Sequence, residues 1–373
     1  MSDRDIFSDD TGEVDVSVVP QEQLVQSPPP IPPPLEEDGI TTLRDDEVNL
    51  LQWHQKGKKI IAVIGFYDSG KTFFVNRLRK ALPDFDGWFC KQQAEDNPII
   101  VTPDGIIQTE ISKATGNHDG YIIADVAGES FAKGFRKQHG GGADKSLLDI
   151  NPRYLSIFAL ADAFILLLPA KDLDKREIAE DYEVERKADN HDMIESFHNI
   201  VGMIKVAHDR IAVNGETPRS FMETGVTGEE LQKAFFNHKV TCPRPVSVLY
   251  SLADVYERYV DDSYDEDPFL FTFSHIPKLA HAINHFFDFY RFDFLSAFYG
   301  QRDESNVPDY NLEHHGAVEA FYWIHEHLEM SSGLFGPWKR RFKGHLPTRT
   351  AIKWRRLLDP GFRSKWKRLK GSL

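Results

Sequence analysis

The sequence predicts an α/β architecture, a doubly wound and mostly parallel sheet, on three features. Short apolar runs recur without helical period at Ile60 to Ile64, Ala163 to Leu168 and Arg244 to Leu252. Such runs, bounded by charged or turn residues, are the pattern of strands buried on both faces. Amphipathic helical stretches separate them, and strands alternating with helices point to parallel crossover units. The first run also ends in a glycine-bounded turn, Gly65 to Thr72, that opens directly into a helix.

That turn reads GFYDSGKT and fits G-x-x-x-x-G-K-T, the phosphate-binding loop. Gly65 and Gly70 let the backbone fold tightly, so that the amides of Asp68, Ser69, Gly70, Lys71, Thr72 and Phe73 can turn towards an anion. Lys71 supplies a cation for the outer phosphates, and the Thr72 hydroxyl is a magnesium ligand. The helix that follows, Lys71 to about Leu82, aims its N-terminal dipole at the same place.

The segment before the first strand, residues 1–48, is acidic and proline-rich, with PPPIPPP at Pro28 to Pro34. It has few apolar anchors and is expected to be disordered or extended as polyproline. Globular structure is expected from residue 49, through 330. After the first helix, Pro83 to Pro103 is polar and reads as a loop. Gly105 to Ser112 and Gly120 to Val126 read as paired strands joined by a turn. The glycines Gly140 to Gly142 mark a flexible segment. Residues 172–240 carry charged helical patterns longer than a simple crossover needs and are read as a helical insertion; Met193 to Val206 is its clearest amphipathic stretch. The acidic run Asp261 to Asp267 is read as solvated surface. Ile276 to Phe287 is predicted as a helix, Phe292 to Phe298 as a strand and Val318 to Met330 as a closing helix.

Length and composition bound the rest. The 373 residues allow two or three average domains, or one large α/β domain with tails, and a 41% hydrophobic content supports a sizeable core. The net charge of −14 is unevenly spread. Residues 331–373 hold 13 Lys and Arg against one acid, Asp359, which leaves 31 basic and 57 acidic groups on the first 330. A basic tail of this kind suggests its own partner. The two cysteines form no disulfide framework or metal spacing. No leader or spanning segment is evident, because the most apolar stretch, Ile157 to Ala170, contains Asp162 and reads as a buried strand. A cytoplasmic location is the simplest expectation. Of the 15 histidines, His325 and His327 lie two apart on a helix and do not share a face, so they are read as surface or partly buried groups.

A phosphate loop alone would suit an ATPase, a GTPase or a kinase. The stretch Asp125-Val126-Ala127-Gly128-Glu129 narrows the choice. Asp125 ends a buried strand, where a carboxylate can hold magnesium or its water. Gly128 offers an amide that could sense a γ-phosphate, and the segment after it could order and release with that contact.

Taken in order, GFYDSGKT, DVAGE, a strand ending in SLAD and a strand ending in Ser296-Ala297 resemble the motif set of translation-factor-related (TRAFAC class) P-loop GTPases over residues 58–330. Within that class the style is most similar to bacterial GTPases that work beside other GTPase or effector proteins, conflict systems included. The resemblance implies a P-loop NTPase fold, GTP and GDP as ligands, and Mg²⁺ as cofactor. It gives Asp254 the part of recognising guanine, with Ser251 and Leu252 standing where the family has Asn or Thr and Lys. Ser251 can still hydrogen-bond the nucleotide, whereas Leu252 cannot reproduce the lysine. Ser296 and Ala297 would place a backbone amide at the base. Thr72 and Asp125 would hold the metal with a switch threonine, for which Thr102 is the candidate and Thr109 the next. Glu129 stands where small GTPases carry a water-orienting Gln, so Lys71, Gly128 and Glu129 form the candidate catalytic set. A carboxylate beside a phosphate predicts slow intrinsic hydrolysis, on the order of 10⁻³ per second or below, awaiting an activating protein partner. Tyr67 would crowd an arginine finger, and Asp68, where some relatives use Asn for potassium, is read as a solvated carboxylate. Two alternatives stay open: a P-loop ATPase or kinase, and a nucleotide-binding scaffold that hydrolyses nothing.

The tail interleaves Trp338, Phe342, Trp354, Leu357, Leu358, Phe362, Trp366 and Leu369 with cations. Residues 354, 357 and 358 put an apolar stripe on one helical face, a pattern that suits an anionic membrane surface. Docking onto the chain's own acidic body or onto an acidic protein partner is an equal reading. Nucleic acid, which would use the same charges with aromatic stacking, fits less well.

Overall fold

In a computed structural model, the structure describes residues 45–65, 69–82, 88–91, 106–113, 120–126, 152–169, 183–236, 240–251, 267–295, 316–331 and 347–372. The proline-rich N-terminal segment, the Gly140 to Gly142 cluster, most of the acidic run at 261–267, and Trp338 and Phe342 lie outside these.

Helix α1 (Asp45–Gln55) comes first. Strand β1 (Lys59–Gly65) and helix α2 (Lys71–Ala81) follow as expected. The polar stretch read as one loop contains a four-residue strand, β2 (Trp88–Lys91). Strands β3 (Ile106–Lys113) and β4 (Gly120–Val126) form the expected antiparallel pair. Helix α3 (Pro152–Leu160) then precedes β5 (Ala163–Pro169). The apolar stretch read as one buried strand from Ile157 is therefore a helix end and a strand, broken at Asp162.

The crossover from β5 to β6 carries α4 (Glu183–His208), a π-helical turn at Asp209–Val213, α5 (Pro218–Thr224) and α6 (Gly228–Phe236). Strand β6 (Val246–Ser251), helices α7 (Pro268–His275) and α8 (Pro277–Phe286), and strand β7 (Tyr290–Leu295) complete the sheet. Strand β7 begins two residues earlier than the sequence pattern indicates. Helices α9 (Ala317–Ser331), α10 (Thr348–Leu358) and α11 (Pro360–Ser372) follow. One compact unit spans Leu43–Leu373.

The seven strands lie in the order β2-β3-β4-β1-β5-β6-β7. Pairings β4-β1-β5-β6-β7 are parallel, and β2-β3 and β3-β4 are antiparallel. The even residues of β1, Ile60, Ala62 and Ile64, pack into a core with α1, α3, α4 and α8. Its odd residues, Ile61 and Val63, pack against α2 and α9 on the other face. Burial on both faces is why β1 reads as an unbroken apolar run rather than an alternation. Asp162 fixes the entry to this strand, its carboxylate accepting from the Ile60 amide at 2.9 Å and from Lys59 Nζ at 3.3 Å. Asp46 ties α1 to β3 in the same way, accepting from the Ile106 amide at 2.8 Å.

Chain direction decides where a site can form. From β1 the chain moves to one side of the sheet and returns to β5 on the other. The crevice at the carboxyl ends of β1 and β5 is therefore a topological switch point, the usual ligand site of open α/β sheets.

Candidate functional site

The carboxyl end of β1 is Gly65, in register with Leu167 of β5. A Cβ built on Gly65 would stand 2.3 Å from Ser69 Oγ and 2.9 Å from the Leu167 carbonyl, so only glycine lets the loop fold back this closely. Gly70 caps α2 in the left-handed region, at φ 84° and ψ 17°, and accepts from the Phe74 amide at 2.8 Å. Glycine takes that conformation at little cost, whereas a side chain would strain it. Both glycines of the motif thus meet a geometric demand. Backbone amides at the start of α2 open towards the carboxyl ends of the sheet.

Lys71 is 7% exposed, and its Nζ donates to the Gly65 carbonyl at 2.7 Å. The cation is held across the loop's own mouth. Asp125, 5% exposed, lies opposite Val63 in the β1–β4 register. Burial raises its carboxyl from the ordinary 3.8 to about 6, with the positive charge of Lys71 opposing that rise. Ser251 ends β6, and its Cβ is 3.9 Å from where a Cβ on Gly70 would sit. The structure therefore brings together Gly65, Ser69, Gly70, Lys71, Asp125 and Ser251, from three strands and one helix start.

Among the described residues, Ser69 Oγ, Asp125 Oδ1 and Ser251 Oγ are buried without a hydrogen-bond partner. Buried polar atoms are ordinarily satisfied, and a cluster of orphans at one sheet end indicates a missing polar ligand. A carboxylate and hydroxyls are hard oxygen donors of the kind magnesium takes, and a helix start with a lysine in its first turn suits phosphate. The residues present therefore fit a magnesium-bound phosphate ester.

Other sequence-predicted residues fall elsewhere. Thr72 and Phe73 lie in the first turn of α2, with their side chains outside the described set. Tyr67, Asp68, Thr102, Gly128, Glu129, Asp254, Ser296 and Ala297 lie outside the described residues. Thr109, the second switch candidate, sits within β3 opposite Ile123, in a ladder that holds it fixed. His325 bonds Tyr121, its Nδ1 lying 2.6 Å from the hydroxyl, and His327 is buried with Nδ1 2.6 Å from the Trp323 carbonyl.

Tyr154 of α3 is a neighbour that sequence reasoning missed. It is fully buried, and burial followed by the negative charge of Asp125 pushes its hydroxyl far above the usual range. No local pattern reveals it, because the relation between α3 and β4 is purely tertiary.

Fold and site together define a mixed α/β protein, with a mostly parallel sheet and a phosphate-loop turn, compatible with a P-loop NTPase-like fold. No family model and no curated protein sequence matches this chain. Among solved structures it is similar to an ADP-ribosylation-factor-like GTP-binding protein, the small COPII coat GTPase Sar1 from Encephalitozoon cuniculi in complex with GDP. The TM-score is 0.31 at 11% identity, over 76% of this chain and 86% of that one. An overlap this loose leaves the functional reading to the residues of the chain itself.

Proposed function

We propose that the chain is a magnesium-dependent GTP-binding and GTP-hydrolysing switch with slow intrinsic turnover. One observation carries the reading: the Gly65–Gly70 turn and Lys71 lie beside a buried, underprotected Asp125 at the sheet's switch point. Lys71 would leave the Gly65 carbonyl for the outer phosphates. Thr72 and Asp125, with Thr102 from the preceding loop, would hold the metal, which supplies charge neutralisation at those phosphates. Asp125 must be ionised to do this, so binding releases a proton below about pH 6.

Guanine preference rests on the SLAD sequence, with Asp254 taking the base and Ser251 at the loop. Ser296 and Ala297, which follow β7 in the sequence, would place a backbone amide at the base. Glu129 in place of a water-orienting amide supports slow hydrolysis, with Gly128 sensing the γ-phosphate. The departure at Leu252 favours a second reading, an ATPase or kinase on the same loop.

Calorimetric titration with GTP, GDP and ATP, with and without magnesium, tests both. Tight GTP and GDP binding that strengthens with magnesium supports the switch. Displacement of GTP by equimolar ATP, together with indifference to Asp254→Ala, selects the second reading. Absence of heat with any of them refutes the site.

A further inference from the structure

We propose that α10 is a lipid-docking helix that seats the chain peripherally on an anionic membrane surface. The proposal rests on surface chemistry and is independent of the nucleotide reading.

The inner face of α10 is fully used. Thr348 extends the edge of β7: its hydroxyl accepts from the Tyr290 amide at 3.0 Å and donates to the Tyr290 carbonyl at 2.9 Å, and its amide donates to the Asp288 carbonyl at 2.9 Å. Arg349 donates to the His285 carbonyl, and Arg355 pairs with Asp267 at 2.5 Å, its guanidinium 4.2 Å over the Phe362 ring. Ile352 packs against the core between them. These contacts set the helix rotation and leave its other face to solvent.

That outer face carries Trp354, Leu357 and Leu358, exposed to 53%, 63% and 75%. Spacings of three and four residues place them on one stripe. Three large apolar side chains together on a well-anchored helix are unlike scattered surface leucines, and mark an interaction face. Charge identifies the partner. Residues 347–372 hold nine Lys and Arg and one acid. The acid, Asp359, is occupied as the cap of α11, accepting from the Phe362 amide at 2.9 Å. Lys353, one turn before Leu357, is exposed beside the stripe, and Arg356, over the Trp366 ring at 5.8 Å, and Lys367 of α11 are exposed as well.

A helix with Trp and Leu on one side and cations along its flanks lies in the headgroup plane of anionic lipid. The first 330 residues are acidic overall, so this basic end of the chain is the part that such a surface attracts. Helix α11 is fixed beneath by Phe362 and Trp366, buried on Phe269 with centroids at 5.9 and 5.4 Å.

The test is sedimentation of the full chain with phosphatidylserine-containing vesicles and with pure phosphatidylcholine vesicles. Variants are Trp354→Ser/Leu357→Ser/Leu358→Ser and Lys353→Ala, and thermal midpoints confirm that these exposed changes leave the fold intact. Expected are binding to the anionic vesicles only, weakening with salt, at least tenfold loss in the triple variant, and roughly fivefold loss in Lys353→Ala. Equal binding to both vesicles, no binding, or wild-type binding by the triple variant overturns the proposal. So does self-association abolished by the triple variant without vesicle binding, which would make the face an interface between copies. Association with RNA or an acidic soluble protein in place of vesicles overturns it as well.

Discussion

Asp125→Asn should stabilise the nucleotide-free chain and cripple its metal-dependent ligand binding. The carboxyl is 5% exposed, and burial lifts it from 3.8 to about 6. Because the folded value lies above the unfolded one, the folded chain binds more protons between about pH 4 and 6. Stability from this group is therefore full below pH 4 and lost as pH rises through 6. A displacement of that size corresponds to about 3 kcal/mol at neutral pH. The isosteric amide removes the buried charge but adds a buried N–H that needs a partner, which returns part of the gain. A net stabilisation of about 1–3 kcal/mol is expected at pH 7.5, shrinking towards zero at pH 4.

Urea denaturation of both proteins across this range measures it. With an m-value of about 3 kcal/mol per molar, the midpoint moves by about 0.3–1 M at pH 7.5. Calorimetry on the same samples should show that the variant has lost the magnesium dependence of triphosphate binding. In the wild type, magnesium-dependent affinity should fall about tenfold per pH unit below 6. A variant that is no more stable at pH 7.5 than wild type, with no pH-dependent gap, would refute the claim that Asp125 is a strained carboxylate awaiting a cation. Retained magnesium dependence would refute its role as the metal's anchor.

Further outcomes follow from single positions. Gly65→Ala forces a methyl to 2.3 Å from Ser69 Oγ and 2.9 Å from a backbone carbonyl, and should cost about 1–3 kcal/mol while abolishing triphosphate binding; thermal shift with and without ligand checks both. Burial and then Arg244 hold His208 down at about 4, so the folded chain loses stability as pH falls from 6.5 towards 4. His208→Asn should flatten that acid limb, read from urea midpoints at pH 7 and 4.5. Trp366→Ala removes a ring packed on Phe269 and Phe273 and should cost about 3 kcal/mol, the low end for a buried tryptophan because the site is peripheral. Loss of α11 protection in hydrogen exchange would accompany it.

The central strands were legible because few structures accommodate an apolar run too short for a helix and flanked by charges. Strand β1, the β3–β4 pair, β5 and β6 all fall where the pattern places them. Strand β2 was hidden: four residues at a sheet edge are too few to show alternation. Helix α3 was hidden for a different reason. Its last turn, Ile157 to Leu160, runs into β5 through Ala161 and Asp162, so two elements read as one apolar stretch. The break is made by Asp162 accepting from the Ile60 amide, a contact across 102 residues that composition cannot signal. In the site, Gly65, Gly70 and Lys71 were legible because a tight anion-binding turn admits few alternatives. Tyr154 was not, since its only link to the site is through space.

Lys71 and Asp125 together explain why the described site reads as a binding-ready arrangement and not as a structural ion pair. A structural pair would satisfy itself, with Lys71 donating to the carboxylate and the carboxyl held below its ordinary range. Here the lysine donates to Gly65 O, while Asp125 keeps an unpartnered oxygen and a raised pKa. The aspartate is therefore placed for a cation beside it, at the mouth of a loop whose composition suits an anion. A phosphate carrying its own divalent ion meets both demands at once, and it also supplies donors or acceptors to Ser69 and Ser251. Such a ligand would meet the unpartnered oxygens of Ser69, Asp125 and Ser251 together.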